Sequence, residues 1–265
     1  MGQMGKLIAA ALADIREALR LRAVWIALAS EDIGDQHKRT TLGPFWLLLN
    51  YLIFIGTFIV VFGGPAGEGL FAAYAATGLF VWFYIMDILG QSAALFVREE
   101  SFIKGTILPL TTYVLRLTMQ SVIRSGYALI GCAAILLLMQ VPITATWSWS
   151  IVALGIIILA TPPTILILAL IGAFFPDMQF IMQNAVRVGM FLTPTFWGFD
   201  EVVGWRGVLY HWNPFTYFLE IFRQPIVFDT VPVFALGFCL VVVLVLWAIA
   251  IPLLGLFRKQ IAFMI

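Results

Sequence analysis

The sequence predicts an all-α membrane protein with six transmembrane helices. Apolar residues make up 62% of the 265 residues and charged residues only 11%, and the mean hydropathy is +1.03. The apolar residues fall in long continuous stretches, not in the alternating pattern of membrane β-barrel strands. No soluble domain needs so much apolar surface, so we expect the function to concern the bilayer.

The first predicted element is an N-terminal amphipathic helix over residues 5–30. Its apolar residues recur at helical spacing, and a charged side lies opposite. The apolar positions are Ile8, Leu12, Ile15, Leu19, Ala23 and Ile26, and the charged ones are Asp14, Arg16, Glu17 and Arg20. Such a helix lies along the membrane surface, either as an anchor that fixes topology or as a docking surface for a soluble partner.

Six spans follow, because about 20 apolar residues cross roughly 30 Å of hydrocarbon as a helix. They are expected near 45–64, 70–96, 114–141, 148–174, 179–199 and 232–256. Pro162 and Pro163 predict a kink in the fourth span. We expect a single domain over residues 1–265, with the membrane part at 45–256.

Orientation follows from the basic residues, since short loops rich in Lys and Arg stay in the cytoplasm. With six spans, both termini share one side, and that side holds most of the Lys and Arg residues. Arg206 and Arg223 fall on the opposite side, and Arg187 falls inside the membrane. Both termini are therefore expected in the cytoplasm.

Three motifs follow one another along the chain. Thr40 and Leu42-Gly43-Pro44-Phe45-Trp46 lead into the first span. Ser101-Phe102-Ile103-Lys104-Gly105, then Leu108-Pro109-Leu110, lie between the second and third spans. Tyr210-His211-Trp212-Asn213-Pro214-Phe215, then Glu220-Ile221-Phe222-Arg223, lie between the fifth and sixth. In these motifs the chain resembles the membrane subunits of type-2 ABC exporters for surface polysaccharides, the family that exports O-antigen, capsular polysaccharide and teichoic acid.

The chain departs from the family pattern in two places. Gln36-His37 stands where an Arg-Tyr pair is usual, and Phe175-Pro176-Asp177 stands where Phe-Arg-Asp is common. Both lie at the expected cytoplasmic face, so they bear on the contacts with the ATPase subunit.

The resemblance implies a permease subunit that exports a lipid-linked polysaccharide, of O-antigen or capsule type, across a bacterial inner membrane. It implies a homodimer with two ATPase subunits, and short re-entrant helices between spans five and six. The sequence has no Gly-x-x-x-x-Gly-Lys-Ser/Thr phosphate loop, so ATP and Mg²⁺ would bind to the partner ATPase. The resemblance also implies that a short cytoplasmic helix contacts the ATPase through Arg98, Glu99, Glu100, Phe102, Ile103 and Lys104.

Charged residues inside spans are unfavourable, so Asp87, Arg124 and Arg187 are candidates for function. Asp87 and Arg187 both lie roughly 15 Å from the cytoplasmic end of their spans at 1.5 Å per residue. They would then either form an ion pair that fixes helix packing or stand apart. In the second case Arg187 lines the conduit and attracts the phosphate of a lipid-linked glycan. Partial exposure to water is a third alternative.

Aromatic residues cluster in the second span and in the segment before the sixth. The candidates for a substrate pathway are Tyr74, Phe80, Trp82, Phe83, Trp197 and Trp212. Trp and Tyr also gather at membrane interfaces, so an ordinary aromatic belt is the alternative. In a pathway, the flat ring faces would stack on sugars without requiring one particular sugar.

Catalysis and metal binding are not expected. His37 and His211 are the only histidines, and they fall on opposite sides of the predicted membrane. Glu99-Glu100 is expected in a solvated coupling loop. Two other classes remain open: an ABC exporter of drugs or lipids, and an ion-coupled carrier or membrane enzyme, which needs several ionisable groups near the midplane.

Overall fold

The computed structural model of the chain describes residues 3–63, 68–198, 202–258 and 260–261. All regular secondary structure within these ranges is α-helical, which confirms the predicted all-α class. The helices are α1 Gln3–Arg20, α2 Arg22–His37, α3 Phe45–Phe62, α4 Glu68–Ser92, α5 Leu95–Arg98, α6 Glu100–Gly105, α7 Leu110–Leu138, α8 Trp147–Phe174, α9 Met178–Leu192, α10 Trp205–Trp212, α11 Pro214–Val227 and α12 Val233–Phe257.

Five of the described helices are long and apolar enough to cross a membrane, namely α3, α4, α7, α8 and α12. They correspond to predicted spans one to four and six. The predicted fifth span, 179–199, contains α9, which has only 15 residues and reaches about 22 Å at 1.5 Å per residue. It ends there because Thr193, the residue before Pro194, is extended (φ −98°, ψ 140°). Residue 199 lies outside the described ranges.

The N-terminal segment forms two helices, α1 and α2, instead of one. Asp14, which the periodicity assigns to the polar side, is buried, whereas Leu12 and Leu19 on the apolar side are exposed. The reason is that the small residues Ala11 and Ala18 let this face of α1 pack closely against the bundle.

Asp14 attaches α1 to the start of α7. Its carboxylate accepts hydrogen bonds from the backbone N–H of Leu110 (3.3 Å) and Thr111 (3.0 Å) and from the Thr111 hydroxyl (2.6 Å). The first amides of a helix have no hydrogen-bond partner within that helix. A carboxylate from another helix accepts hydrogen bonds from them, and its negative charge interacts favourably with the helix dipole. Asp14 therefore caps α7 from a distant part of the chain.

Contacts with α12 hold the other side of α1. Gly255 lies against the Leu7 carbonyl so closely that a Cβ there would overlap it. Arg258 donates from Nη1 to the Ala10 carbonyl at 3.1 Å. Together with Asp14, these contacts fix α1 across the ends of α7 and α12.

Helix α8 continues through Pro162 and Pro163, and the kink remains a prediction. Pro163 has no N–H to offer the Leu159 carbonyl four residues earlier. The indole N–H of Trp247, on α12, donates to that carbonyl at 3.1 Å. A side chain of one apolar helix thus replaces the backbone hydrogen bond that proline removes from another, as membrane helices require.

The bundle has two ends, which we call the first and second end. The first end carries α1, α2, α5 and α6. The second end carries α10 and α11, which meet at Asn213-Pro214. There the Asn213 side chain accepts a hydrogen bond from the Phe215 N–H at 2.9 Å, and Pro214 occupies the first turn of α11. The predicted Asn-Pro turn between two short helices is therefore present.

Candidate functional site

Asp87 on α4 forms an ion pair with Arg124 on α7. Its Oδ2 accepts from Nη2 of Arg124 at 2.8 Å and from Nε at 3.0 Å, and its Oδ1 accepts from Gln91 Nε2 at 2.5 Å. The partner of Asp87 is therefore Arg124 and not Arg187, the partner considered from depth alone. Helices α4 and α7 pack side by side, so Arg124 reaches the carboxylate directly.

Asp87 stands where two grooves meet. The first, about 390 Å³, lies between α4 and α9 and is lined by Asp87, Gln91, Gln183 and Arg187 among others; we call it the α4–α9 groove. The second, about 380 Å³, lies between α3, α4 and α7 and includes Asp87 and Arg124; we call it the α3–α7 groove. Asp87 and Arg187, two of the three predicted membrane charges, thus line one groove without forming an ion pair.

Arg187 is exposed on α9. Within the described part of the chain, its guanidinium has no carboxylate oxygen within 4 Å. It differs in this from Arg116, Arg124 and Arg223, which are all paired. The α4–α9 groove therefore offers an uncompensated positive charge.

The predicted pathway aromatics divide into buried and accessible rings. Tyr74, Phe80 and Trp82 are buried within the chain. Trp82 meets the edge of Phe215, with ring centroids 5.7 Å apart. Phe83 is partly exposed and lines both grooves. Of these four side chains, Phe83 is thus the one most open to a passing molecule.

Trp197 and Trp212 belong to the second end. Trp212, the last residue of α10, is 84% exposed, and Trp205, the first residue of the same helix, is equally exposed. Trp197 is partly buried, and its indole N–H donates to the Phe191 carbonyl at 2.9 Å. Its own carbonyl accepts from the Tyr74 hydroxyl at 3.1 Å. Trp197 therefore fixes the chain after α9, whereas Trp212 projects outward.

A row of phenylalanines on α3 was missed by the sequence reading. The rings of Phe54, Phe58 and Phe62 succeed one another with centroids 5.0 and 5.3 Å apart. Phe83 lies 5.0 Å from Phe54, and Phe196 lies 4.8 Å from Phe58. A four-residue spacing places side chains on one face of a helix, so the spacing of these phenylalanines was the signal that could have revealed the row. The row joins the grooves to the second end.

A buried charge cluster under the second end was also missed. Arg223 is 0% exposed, although the sequence reading placed it on the far side of the membrane. Its Nη1 donates to Glu220 at 2.9 Å, and its Nη2 donates to the carbonyls of Pro194 and Thr195, each at 2.9 Å. The guanidinium also lies 3.7 Å above the Tyr74 ring. Arg223 thus ties α11, the chain after α9, and α4 together.

Gly78 makes this cluster possible. A Cβ at that position would overlap both Arg223 Nη2 and the Thr195 carbonyl.

Burial and the neighbouring Glu220 carboxylate raise the pKa of Tyr210 on α10, so its hydroxyl stays protonated. The spacing of Glu220 and Arg223, one helical turn apart, was the available signal for an ion pair.

The predicted coupling residues lie on α5 and α6 at the first end. Glu99, expected in a solvated loop, is only 7% exposed and accepts from Arg116 Nη1 at 2.8 Å. Arg116 also binds both carboxylate oxygens of Asp32 at 2.7 Å, and its guanidinium lies 5.6 Å from the Phe102 ring. The solvated prediction was wrong for Glu99, because Arg116 supplies the buried partner that a carboxylate needs.

Most of the remaining coupling residues face outward, whereas Ile103 does not. Glu100 and Lys104 form an exposed pair at 2.7 Å, Phe102 is 48% exposed, and Ile103 is partly buried against the core. Arg98 lies 3.5 Å from Glu99. The two α6 residues Phe102 and Glu100 therefore present an apolar and a charged group on one short helix. Within the described ranges, no group of three His, Cys, Asp or Glu side chains is placed to hold a metal ion.

Comparison with known proteins gives three weak but extended similarities. The chain is 24% identical to the O-antigen export system permease protein RfbA of Myxococcus xanthus over 258 residues, which cover 88% of this chain and 92% of that protein. Two proteins of the same name from Klebsiella pneumoniae are each 20% identical, over 75% and 67% of this chain and 78% and 70% of their own lengths.

No protein-family model matches the chain. The three similar proteins share one name, and each similarity extends over at least two thirds of both chains. They agree with the motif resemblance and with the helical bundle of apolar helices. The comparisons therefore confirm the predicted resemblance of this chain to the O-antigen export permeases of type-2 ABC exporters.

Proposed function

We propose that this chain is the transmembrane subunit of an ATP-driven exporter that moves a lipid-linked polysaccharide from the cytoplasm to the periplasm or cell exterior. The observation that carries the proposal is the similarity to O-antigen export permeases along most of the chain, together with the five long apolar helices. The substrate is of O-antigen or capsule type, by extension from the names of those proteins.

The proposed topology has six membrane passages in a bacterial inner membrane, with the first end and both termini in the cytoplasm. The fifth passage combines α9 with the extended chain that follows it. Helices α10 and α11 then re-enter the outer leaflet. The buried Arg223 supports this arrangement, because its hydrogen bonds to Pro194 and Thr195 satisfy carbonyls of a non-helical segment within the bundle.

The proposed working unit is a homodimer with two ATPase subunits, which bind ATP and Mg²⁺. The exposed apolar face of α9, which includes Phe180, Ile181, Val188 and Phe191, supports a contact with a second copy or with lipid. Helix α6 and the exposed face of α1 are the proposed ATPase contacts. Arg116 on α7 binds Asp32 on α2 and Glu99 at the start of α6, so these ion pairs would transmit movement of α6 to α2 and α7.

The proposed substrate pathway follows the two grooves and the phenylalanine row on α3. Asp87 lines both grooves, Arg187 lines the α4–α9 groove and Arg124 lines the α3–α7 groove. Flat apolar rings continue from there towards the second end. Stacking on ring faces suits a polymer with several kinds of sugar, since it does not depend on the position of each hydroxyl.

The test is native purification of the tagged chain in mild detergent, with mass spectrometry and an ATP-hydrolysis assay of the proteins that accompany it. We expect a stoichiometric ATPase with a phosphate loop. Phe102→Ala should reduce its recovery about tenfold, whereas Trp205→Ala, which removes a still more exposed aromatic side chain at the second end, should leave recovery unchanged. Reproducible purification of the chain alone, without ATPase activity, would overturn the proposal in favour of an ion-coupled carrier.

A further inference from the structure

We propose that Arg187 binds the phosphate group of an anionic lipid in the α4–α9 groove, and that Asp87 weakens this binding by neutralising Arg124 beside it. The phosphate is that of the substrate's lipid carrier or that of a phospholipid headgroup, and both offer the same chemistry to a guanidinium. The first source rests on the proposed function, whereas the site itself does not.

The α4–α9 groove carries a net positive charge. The carboxylate of Asp87 is already engaged by Nε and Nη2 of Arg124 and by the Gln91 amide. Arg187 lines the same groove, is exposed, and has no carboxylate within 4 Å among the residues that the structure describes. Arg124 therefore neutralises Asp87, and the charge of Arg187 leaves the groove positive.

The position of the groove makes that charge significant. Arg187 is the tenth of the 15 residues of α9, so bulk water solvates it poorly if α9 lies in the membrane. An anion that reaches it would relieve this cost. Guanidinium binds phosphate through two parallel N–H groups, which makes phosphate a better match than a neutral sugar hydroxyl.

The walls of the groove indicate that the phosphate belongs to a lipid. Phe83, Met86 and Val186 line it with apolar surface, and Gln183 supplies a neutral donor near Arg187. A free phosphate needs polar groups on all sides, whereas a lipid phosphate brings its own hydrocarbon. Polar and apolar lining together fit a charged group at the end of a hydrocarbon chain.

Replacing Asp87 distinguishes two roles of its ion pair with Arg124. If the Asp87–Arg124 pair only fixes packing, removing either charge should weaken any binding nearby. If Asp87 tunes the site, Asp87→Asn releases a second guanidinium without changing the size of the side chain. Binding of a phosphate lipid should then increase, while Arg187→Gln should decrease it.

The experiment uses the purified chain, with any subunits that accompany it, in phosphatidylcholine nanodiscs. The probes are farnesyl pyrophosphate, phosphatidic acid and uncharged farnesol, and the bound lipid is measured by native mass spectrometry over a concentration series. The variants are Arg187→Gln and Asp87→Asn, with Arg206→Gln, an exposed arginine on α10, as the matched control. Thermal unfolding and gel filtration check that each variant remains folded.

We expect Arg187→Gln to raise the dissociation constant of the phosphate lipids about tenfold and Asp87→Asn to lower it about tenfold, as for gain or loss of one charge-assisted contact. Arg206→Gln and farnesol should show no such dependence. Preference for farnesyl pyrophosphate supports the carrier as the source, and equal or stronger binding of phosphatidic acid supports a headgroup.

Three results would overturn the site: unchanged binding in folded Arg187→Gln, weaker binding in folded Asp87→Asn, or farnesol binding as tightly as the phosphate lipids. The ATPase recovery described above does not depend on these probes. Loss of the phosphate site with ATPase recovery intact therefore counts against this inference alone, and the reverse result counts against the proposed function alone.

Discussion

Replacing Arg223 by Met should destabilise the bundle more than any exposed substitution. Met keeps much of the apolar volume but removes three hydrogen bonds of 2.9 Å, to Glu220, Pro194 and Thr195. It also leaves the Glu220 carboxylate buried beside Tyr74 without its cation. Breaking a buried ion pair by removing one partner costs about 3 to 5 kcal/mol.

For a chain of this size, 1 kcal/mol shifts the unfolding temperature by roughly 2 °C or more. The expected decrease is therefore about 6 to 10 °C, measured by intrinsic fluorescence during heating of the purified protein in detergent. Arg206→Met, which removes an exposed arginine from α10, is the matched control and should shift the midpoint little.

The double variant Arg223→Met with Glu220→Gln separates charge from packing. It removes the unpaired carboxylate, so it should recover part of the loss, although the carbonyls of Pro194 and Thr195 remain without their donor. A midpoint for Arg223→Met within the range of the Arg206→Met control would refute the reasoning. So would a double variant less stable than the single one.

Three further substitutions test contacts between helices. Asp14→Ala removes the cap of α7 and should cost about 1 to 2 kcal/mol, with α1 cleaved faster in limited proteolysis; unchanged cleavage would contradict it. Trp247→Phe leaves the Leu159 carbonyl unpaired and should cost about 1 to 3 kcal/mol by thermal unfolding, whereas an unchanged midpoint would mean that another donor replaces the indole. Gly172→Ala places a methyl group against the backbone of Ala93 and should cost about 1 to 3 kcal/mol by thermal unfolding. An unchanged unfolding midpoint would show that this contact relaxes freely.

Five of the spans were predictable because length and hydropathy are properties of a continuous stretch of sequence. The predicted fifth span, 179–199, extends beyond α9, because hydropathy continues through Phe196 and Trp197 while the helix ends before Pro194. A membrane span is defined by backbone hydrogen bonds as well as by apolar composition. The proline was therefore the better guide to where α9 stops.

The partners of the membrane charges were less predictable. Counting residues gives the depth of Asp87 but not the direction in which it points, and that direction selects Arg124. Arg223 was assigned to the outside by its position between the fifth and sixth spans, yet Gly78 and the carbonyls after α9 create a buried place for it. Both outcomes depend on contacts between distant parts of the chain, which a single sequence does not contain.

The indole of Trp247 has a mechanical consequence beyond its hydrogen bond. It fastens α12 to α8 at the carbonyl that Pro163 leaves free, and Gly255 brings α12 directly against α1. A force applied to α1 would therefore reach the middle of α8 through two rigid helix contacts, without passing through a loop. Helix α9 lies outside this chain of contacts and packs mainly on α4. The connected helices α1, α12 and α8 can therefore move by a different amount from α9 under the same force.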